Sequence, residues 1–235
     1  MNYAIIAAGE GSRLVEEGVE QPKPLVRLNG KPLIDRLIDI FLKNDAESIN
    51  VIVNEEMKAV QEHLQKKNLN IPLNLIVKST PSSMHSFFEI SRLLDGGKFC
   101  LTTVDTIFKE DDFSGFIQSF IADKNHDGMM AVTGFIDDEK PLYVAVDDEM
   151  EITGFLDTSS GSEKYISGGI YCLSGNALPV LNKCMENGIA RMRNYQRELI
   201  NSGLKLKAYP FGKIVDVDHA GDIEKAEQFL LSCEK

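Results

Sequence analysis

The sequence predicts a three-layer α/β/α protein built on a mixed, mainly parallel sheet. In the first half of the chain, short β-branched runs alternate with amphipathic stretches, which is typical of parallel strands joined by helical crossovers. The chain has 235 residues, of which 43% are hydrophobic. This is enough for one large α/β domain with a substantial core. We therefore expect a single domain that spans residues 1–235.

Four strands are predicted in the first half of the chain. They are residues 2–7, Ile49–Val53, Leu73–Val77 and Phe99–Val104. Amphipathic helices separate them, because apolar residues recur there at helical spacing. The first helix begins at Pro32, since proline suits a first helical turn. The second carries Met57, Val60 and Leu64 on one face, and the third carries Phe87, Phe88, Ile90, Leu93 and Leu94.

The second half of the chain is predicted to extend the sheet over the substrate side. Strand-like runs occur at residues 129–135, 142–146, 151–156 and 166–173, with few helices between them. Helices are then predicted at about 176–186 and 190–202, short strands at 205–209 and 213–217, and a last helix at 222–231.

A glycine-rich, cationic loop leaves the end of the first strand. It reads Ala7, Ala8, Gly9, Glu10, Gly11, Ser12, Arg13, and Gln-Pro-Lys-Pro-Leu follows at residues 21–25. Glycines at positions 9 and 11 let the backbone turn tightly and bring amide groups close to an anion. Arg13 and Lys23 add positive charge. The loop therefore predicts phosphate binding.

Two other phosphate-binding motifs do not fit this loop. A dinucleotide fingerprint needs a third glycine that opens a helix, but position 14 is leucine. A Walker loop needs Gly-Lys followed by Ser or Thr, and the loop contains no such sequence.

The charge of the chain limits its partners. The net charge is −11 and the pI is about 4.9, which argues against a nucleic-acid surface. Against this background a local group of cations, Arg13, Lys23, Arg27 and Lys31, is informative, although a solvated loop would also explain it. No apolar run is long enough for a membrane helix, and the N-terminus enters a strand without a signal peptide. We therefore expect a cytoplasmic protein.

The glycine loop resembles the signature of the nucleotidyltransferases that activate sugar phosphates. The similarity continues through residues 25–34, Leu-Val-Arg-Leu-Asn-Gly-Lys-Pro-Leu-Ile, so the match is long and ordered. This resemblance implies the Rossmann-like fold of the nucleotide-diphospho-sugar transferases. It implies transfer of a nucleoside monophosphate from a nucleoside triphosphate to a phosphate acceptor, with release of pyrophosphate. No repeat domain follows in the sequence, so we expect no fused acetyltransferase.

The resemblance also implies roles for the residues of the loop. The backbone from Ala7 to Ser12 would cradle the triphosphate. Arg13 would bind its β- and γ-phosphates, since a planar guanidinium suits bidentate contacts. Lys23 would neutralise charge at the α-phosphate. Positioning and electrostatics would supply the rate, so that no nucleophilic side chain is needed.

Two acidic positions are candidate ligands of Mg²⁺. Asp105 directly follows the fourth strand, at the edge where open α/β sheets bind ligands, although an aspartate there is also typical of a turn or a helix cap. Asp216 and Asp218 would point to the same face of a strand. The resemblance implies that Asp105 and Asp216 hold Mg²⁺, which binds through carboxylates and phosphates. Asp218 is a less certain ligand and would otherwise cap the last helix.

The base and the acceptor are less well specified. The segment with Pro81, Ser82 and Ser83 corresponds to a loop that contacts the nucleotide base in the family, although Ser82 or Ser83 is equally an N-cap. Gly169 belongs to a strand that lies along the sugar site in the family, but a β-bulge glycine is nearly as probable. Asp157 stands where many relatives carry Glu-Lys-Pro. That departure leaves the acceptor open.

Three functions therefore remain after the sequence analysis. The first is nucleotidyl transfer to a sugar 1-phosphate. The second is transfer to another phosphate, such as phosphocholine or an alditol phosphate. The third is a non-catalytic nucleotide-binding regulatory module. The cations and carboxylates of the motifs argue against this third function.

Overall fold

In the described part of the chain, nine strands form one mixed sheet with helices on both faces, and four more strands form two separate pairs. This confirms the predicted three-layer architecture. The structure is a computed structural model that describes residues 1–94, 96–137 and 140–233. The strands are β1 Asn2–Ala7, β2 Arg27–Leu28, β3 Lys31–Pro32, β4 Ser48–Val53, β5 Leu73–Val77, β6 Phe99–Thr103, β7 Thr106–Phe108, β8 Gly128–Thr133, β9 Tyr143–Val146, β10 Ile152–Leu156, β11 Tyr165–Leu173, β12 Leu206–Phe211 and β13 Ile214–Asp216.

Eight α-helices pack against this sheet or follow its strands in the described part of the chain. They are α1 Ser12–Glu16, α2 Leu33–Lys43, α3 Lys58–Gln65, α4 Ser83–Ile90, α5 Glu110–Ala122, α6 Ala177–Glu186, α7 Met192–Asn201 and α8 Ala220–Cys233. Short 3₁₀ turns lie at Lys23–Leu25 and Ser91–Leu93. Within the described residues, no helix is long and apolar enough to cross a membrane.

The sheet has a parallel half and an antiparallel half. In the first, β5, β4, β1 and β6 are neighbours and all run parallel. The second begins where β11 pairs antiparallel with β6. Strands β8 and β9 also pair antiparallel with β11. The carboxyl ends of β1 and β6 therefore meet at one edge, where the glycine loop and Asp105 emerge.

Both faces of the sheet are buried, as β1 shows. Its alternate residues Tyr3, Ile5 and Ala7 enter one hydrophobic cluster, together with residues of α2 and α5. The intervening Ala4 and Ile6 enter a second cluster with residues of α4, α6 and α7. Side chains alternate across a strand, so a strand covered on both faces must be apolar throughout. This explains why the predicted strands of the first half are continuous apolar runs.

The sequence analysis missed helix α5. It begins with three acidic residues, Glu110 to Asp112, which suit the positive end of a helix dipole, and it buries Phe113, Phe116, Ile117 and Phe120. The four apolar residues have helical spacing, so the signal was present in the sequence. The short strand β7 before this helix was also missed.

Strand β11 contains a bulge at its glycines. Its pairing with β8 shifts in register between Ser167 and Tyr171, and Gly169 has a φ of 73°, which favours glycine. The neighbouring Gly168 has no room for a side chain, because an added Cβ would collide with Ile214 of β13 and lie 3.1 Å from the carbonyl oxygen of Ala131. The predicted β-bulge is confirmed.

The first testable prediction concerns the aromatic cluster under α5. Phe113 is completely buried and contacts the rings of Tyr3, Phe41, Phe108 and Phe116. We expect Phe113→Ala to lower the free energy of unfolding by about 3–5 kcal/mol, because it leaves a cavity. Denaturation in urea measures this change.

The control is Ile121→Ala on the same helix, where the side chain is 52% exposed. We expect that change to cost less than about 1 kcal/mol. Equal losses in the two variants would show that Phe113 is not a central core residue.

Candidate active site

The glycine loop connects β1 to the short helix α1. Gly11 has a φ of 64°, and a Cβ at this position would lie 3.1 Å from the Cβ of Lys23. Gly11 is therefore required both by the backbone conformation and by the close approach of Lys23. The amides of Gly9, Glu10 and Gly11 donate to no acceptor in the described part of the chain. These amides are free to bind an anion.

Lys23 is the centre of the site. Its ammonium group forms an ion pair with Asp105 and lies 2.7 Å from Oδ1 of Asp218. Only 11% of its side chain is exposed. Burial alone would lower the pKa of Lys23, but the two carboxylates outweigh this effect and raise the pKa. The lysine is therefore held as a cation.

A short antiparallel ladder brings Asp105 and Asp216 together. Asp105 lies in the turn between β6 and β7, and β7 pairs with β13 so that Thr106 stands opposite Asp216. The amide of Val217 also donates to the carbonyl of Asp105 at 3.2 Å. Two carboxylates that are distant in sequence thus become neighbours at one edge of the sheet.

The proximity of these carboxylates changes their chemistry. The side chain of Asp216 is exposed at the cleft. Partial desolvation by the surrounding protein atoms, together with the charges of Asp105 and Asp218, raises the pKa of Asp216 above its ordinary value. Oδ1 of Asp105 is buried without a hydrogen-bond partner among the described residues. Both observations indicate that the site lacks positive charge.

The residues fit a Mg²⁺ ion that arrives with a nucleotide. No group of three or more His, Cys, Asp or Glu side chains in the described ranges is arranged to hold a metal ion. Mg²⁺ in phosphoryl-transfer sites is commonly bound through one or two carboxylates, phosphates and water. The unpartnered oxygen of Asp105 and the carboxylate of Asp216 supply such a pair.

Asp218 has a different role from the one expected. It was predicted to lie on the same strand face as Asp216 or to cap the last helix, but β13 ends at Asp216. Its side chain contacts Lys23 and lies 3.4 Å from the guanidinium of Arg13. The carboxylate at the start of α8 is instead that of Asp222, which accepts hydrogen bonds from the amides of Asp218 and His219.

A second contact joins the glycine-loop segment to the start of α8. Oε1 of Glu17, which follows α1, lies 2.6 Å from Nδ1 of His219, and its Oε2 accepts from the amide of Ala220. The hydrogen bond with His219 is the largest cause of the lowered pKa of Glu17 and of the raised pKa of His219. This pair, which we call the Glu17–His219 latch, was not predicted from the sequence.

A cleft of about 930 Å³ opens beside these residues. Arg13, Asp216 and Asp218 line its catalytic end. Its walls extend along β11, β13 and α8, and they include Thr133, Phe135, Ser167, Gly168, Lys213, Lys225, Gln228, Phe229 and Ser232. Of the predicted cations and carboxylates, Arg13, Asp216 and Asp218 line this cleft, and Lys23 adjoins it through its contact with Asp218. The cleft is large enough for a small-molecule ligand.

The predicted base-contact segment is partly occupied by its own structure. Ser82 is the N-cap of α4, as predicted, since its hydroxyl accepts from the amide of His85. The same hydroxyl donates to the carbonyl of Ala190 at 2.7 Å. A base contact by this segment would therefore use Pro81, Ser83 or the backbone, and it stays a prediction.

The two predicted acceptor residues have different positions. A Cβ on Gly169 would lie 3.5 Å from Oγ1 of Thr106, so this glycine adjoins the metal candidates. Asp157 pairs with Arg193 and Arg197 of α7 at 2.7 and 2.8 Å, and Arg197 first and then Arg193 lower its pKa. Because its carboxylate already has two cations, its role toward an acceptor stays a prediction.

The four cations that were predicted as one group lie in two separate places. Arg13 and Lys23 lie at the site, whereas Arg27 donates to the carbonyl of Gly30 and Lys31 pairs with Asp39. The last two residues belong to the β2–β3 hairpin, which has its own local contacts. Only the first two cations therefore contribute to the cluster around Asp218.

Comparison with known proteins identifies the family of this chain. Residues 3–230 match the family described as nucleotidyl transferase. The bifunctional protein GlmU of Thermodesulfovibrio yellowstonii is 26% identical over 246 aligned residues, which cover 98% of this chain and 52% of GlmU. The chain thus spans about half the length of this curated relative.

Solved structures share the fold. The inositol-1-phosphate CTP transferase from T. maritima has a TM-score of 0.82 at 18% identity, and the match covers 100% of this chain and 96% of that chain. The UDP-glucose pyrophosphorylase from Acinetobacter baumannii has a TM-score of 0.81 at 14% identity, covering 97% and 92% respectively.

The Glu17–His219 latch generates a prediction about pH. A histidine whose pKa is raised in the folded state stabilises that state fully below its ordinary value of 6.5, and the stabilisation is lost as pH rises through the raised pKa. We expect His219→Gln to lower the midpoint of thermal unfolding more at pH 6 than at pH 9. Circular dichroism melts at both pH values measure the difference.

The matched control places His219→Gln in a Glu17→Gln background. There the pH-dependent part of the loss should disappear, because the carboxylate that raises the pKa is absent. A loss of equal size at both pH values in the wild-type background would contradict the latch.

Proposed function

Because this chain belongs to the nucleotidyl transferase family, we propose that it transfers a nucleoside monophosphate from a nucleoside triphosphate to a phosphorylated acceptor. An oxygen of the acceptor phosphate attacks the α-phosphorus. The bond from the α-phosphorus to the bridging oxygen of the β-phosphate breaks, and pyrophosphate leaves with that electron pair. The observation that carries this proposal is the cluster of Lys23 and Arg13 with Asp105, Asp216 and Asp218 beside the free amides of the glycine loop.

The glycine loop would bind the triphosphate. Its unoccupied amides from Gly9 to Gly11 offer hydrogen bonds, with Ala7, Ala8 and Ser12 as flanking backbone. Arg13 is 54% exposed at the cleft, so it can reach the β- and γ-phosphates as a bidentate donor. These contacts would stabilise the leaving pyrophosphate.

Lys23 would reduce the repulsion between two anions. The attacking acceptor phosphate and the α-phosphate are both negative, and a fixed cation next to them stabilises the charge of the transition state. The buried position of Lys23 and its two carboxylate partners fix the ammonium in place. This preorganisation costs no rearrangement during the reaction.

Asp105 and Asp216 would hold Mg²⁺. The ion, when bound, supplies charge neutralisation at the phosphates. The protein would contribute the unpartnered oxygen of Asp105 and the carboxylate of Asp216. The repulsion of Asp216 by Asp105 and Asp218 supports a cation at this position.

A sugar 1-phosphate is the first candidate acceptor, and a non-sugar phosphate is the second. One specific observation favours the second candidate. The stretch around Asp157 lacks Glu-Lys-Pro, and its carboxylate pairs with Arg193 and Arg197. The inositol-1-phosphate CTP transferase from T. maritima, which shares the fold, is named for a phosphate that is not a sugar phosphate.

Pyrophosphate release tests the proposed reaction directly. The purified chain is incubated with Mg²⁺, each of the four common nucleoside triphosphates, and glucose 1-phosphate, N-acetylglucosamine 1-phosphate, inositol 1-phosphate, glycerol 3-phosphate or phosphocholine. We expect release with at least one pair and dependence on both members of that pair. Tight nucleotide binding without release under any combination would instead favour a regulatory module.

A further prediction concerns the carboxylates. We expect Asp105→Asn or Asp216→Asn to lower kcat by about 10²-fold or more, the size seen when a preorganised electrostatic group is removed from an active site. Chelation of Mg²⁺ with EDTA should abolish the activity of the wild type. Initial rates of pyrophosphate release measure both effects.

The control is Asp111→Asn, because that side chain is 86% exposed on α5. Its rate should stay within about twofold of the wild-type rate, as for other exposed ion pairs. Full activity of Asp105→Asn, with circular dichroism unchanged, would show that the metal assignment is wrong.

A further inference from the structure

We propose that Lys213 binds the phosphate of the acceptor, and that the acceptor is a phosphate ester of a hydroxylated compound rather than phosphocholine. This inference rests on the proposed function and names a residue and a substrate class for the same cleft. The sequence analysis did not identify Lys213, because nothing in its local sequence distinguishes it from an ordinary surface lysine.

The position of Lys213 is set by two strands. It lies in the turn between Phe211, the last residue of β12, and Ile214, the first residue of β13. Three residues further along β13 stands Asp216. Lys213, Asp216 and Arg13 all line the same cleft. A ligand group bound by Lys213 would therefore face the candidate metal ligand and the triphosphate-binding loop.

Two aromatic rings hold the ammonium group of Lys213. Nζ lies 4.3 Å from the ring centroid of Phe135 and 5.3 Å from that of Phe229. These cation–π contacts connect the segment after β8 with helix α8. They position the charge without neutralising it.

Two other cations that line the cleft have carboxylate partners. Arg13 lies 3.4 Å from Asp218, and Lys225 lies 3.1 Å from Asp222. Within residues 1–94, 96–137 and 140–233, no carboxylate lies within ion-pair distance of Lys213. A positioned cation whose charge is not balanced by a carboxylate is suited to bind a phosphate.

The aromatic rings also limit the class of acceptor. A quaternary ammonium group is recognised by unoccupied aromatic faces, but the rings of Phe135 and Phe229 already face the ammonium of Lys213. A second cation there would meet a like charge. Phosphocholine therefore does not fit this end of the cleft.

Neutral polar side chains also line the cleft, beside the charged Asp137, Lys140, Asp222 and Lys225. They are Thr133, Ser167, Gln228 and Ser232. The hydroxyls of Ser167 and Ser232 donate to Gln196 and to the carbonyl of Phe229, so toward a ligand hydroxyl they would act as acceptors. Together with Lys213, this wall suits a sugar phosphate or a polyol phosphate. Specificity would come from these hydrogen bonds, because a ligand without hydroxyl groups cannot form them.

Steady-state kinetics of three variants test the role of Lys213. We expect Lys213→Met to raise the KM for the best acceptor about 10- to 100-fold, the effect of losing a charge-assisted hydrogen bond, while the KM for the nucleoside triphosphate changes less than about twofold. Lys213→Arg should restore most of the acceptor affinity, because it keeps the charge. Lys43→Met removes a cation outside the cleft, where the side chain is 62% exposed and pairs with Glu110, so its acceptor KM should change less than about threefold.

Methionine keeps the apolar stem that packs on Phe135 and Phe229, and thermal melts check that each variant is folded. Calorimetric binding of glucose 1-phosphate, inositol 1-phosphate, glycerol 3-phosphate and phosphocholine to the wild type and to Lys213→Met separates this inference from the proposed function. Binding of a hydroxylated phosphate that Lys213→Met loses supports the inference even without turnover, in which case only the proposed reaction fails.

Three results would overturn the inference. One is an unchanged acceptor KM and unchanged binding in folded Lys213→Met. Another is a preference for phosphocholine over the hydroxylated phosphates. The last is the absence of binding and turnover with every acceptor in the wild type.

Discussion

The site depends on the ammonium group of Lys23 and the two carboxylates that it contacts. Asp105 emerges from β6, Asp218 follows β13, and Lys23 lies after the glycine loop. Lys23 and Asp218 are separated by 195 positions in the chain, so this contact joins the beginning of the protein to its end. A buried charge is tolerated only with a partner. The ammonium group of Lys23 and the two carboxylates therefore stabilise each other. Because Lys23 follows the glycine loop, these contacts also fix the loop beside the carboxylates.

The same cluster supports the proposed binding of a metal–nucleotide complex. Asp105, Asp216 and Asp218 together carry more negative charge than Lys23 and Arg13 balance, which is reflected in the raised pKa of Asp216. An additional cation relieves this repulsion. The free amides of the glycine loop favour an anion instead, because they are hydrogen-bond donors that lack an acceptor. A magnesium–triphosphate complex meets both needs, because it presents a cation to the carboxylates and anionic oxygens to the amides.

The antiparallel half of the sheet builds the rest of the cleft. The bulge in β11 and the close approach of Gly168 to Ile214 bring β13 against the sheet, and the β12–β13 turn carries Lys213 into the cleft wall. The Glu17–His219 latch then fixes the start of α8 to the segment after α1. Helix α8 contributes Phe229 to the same wall. This side of the cleft is thus formed by β8 and later elements, whereas the glycine loop follows the first strand.

Local sequence predicted most strands, most helices and the charged residues at the site. Continuous apolar runs predict buried strands because both sheet faces are covered, and the order of glycines and cations around Arg13 and Lys23 is readable because a phosphate loop is a local structure. The pairing of β7 with β13, the use of Asp218 as a partner of Lys23 rather than a helix cap, and the Glu17–His219 latch were decided only by the tertiary structure. Each of these is a contact between distant segments, and neither hydrophobic periodicity nor a short motif contains information about the partner of a charged side chain. Lys213 shows the same limit, since its environment is created by two phenylalanines that lie 78 positions before it and 16 after it in the chain.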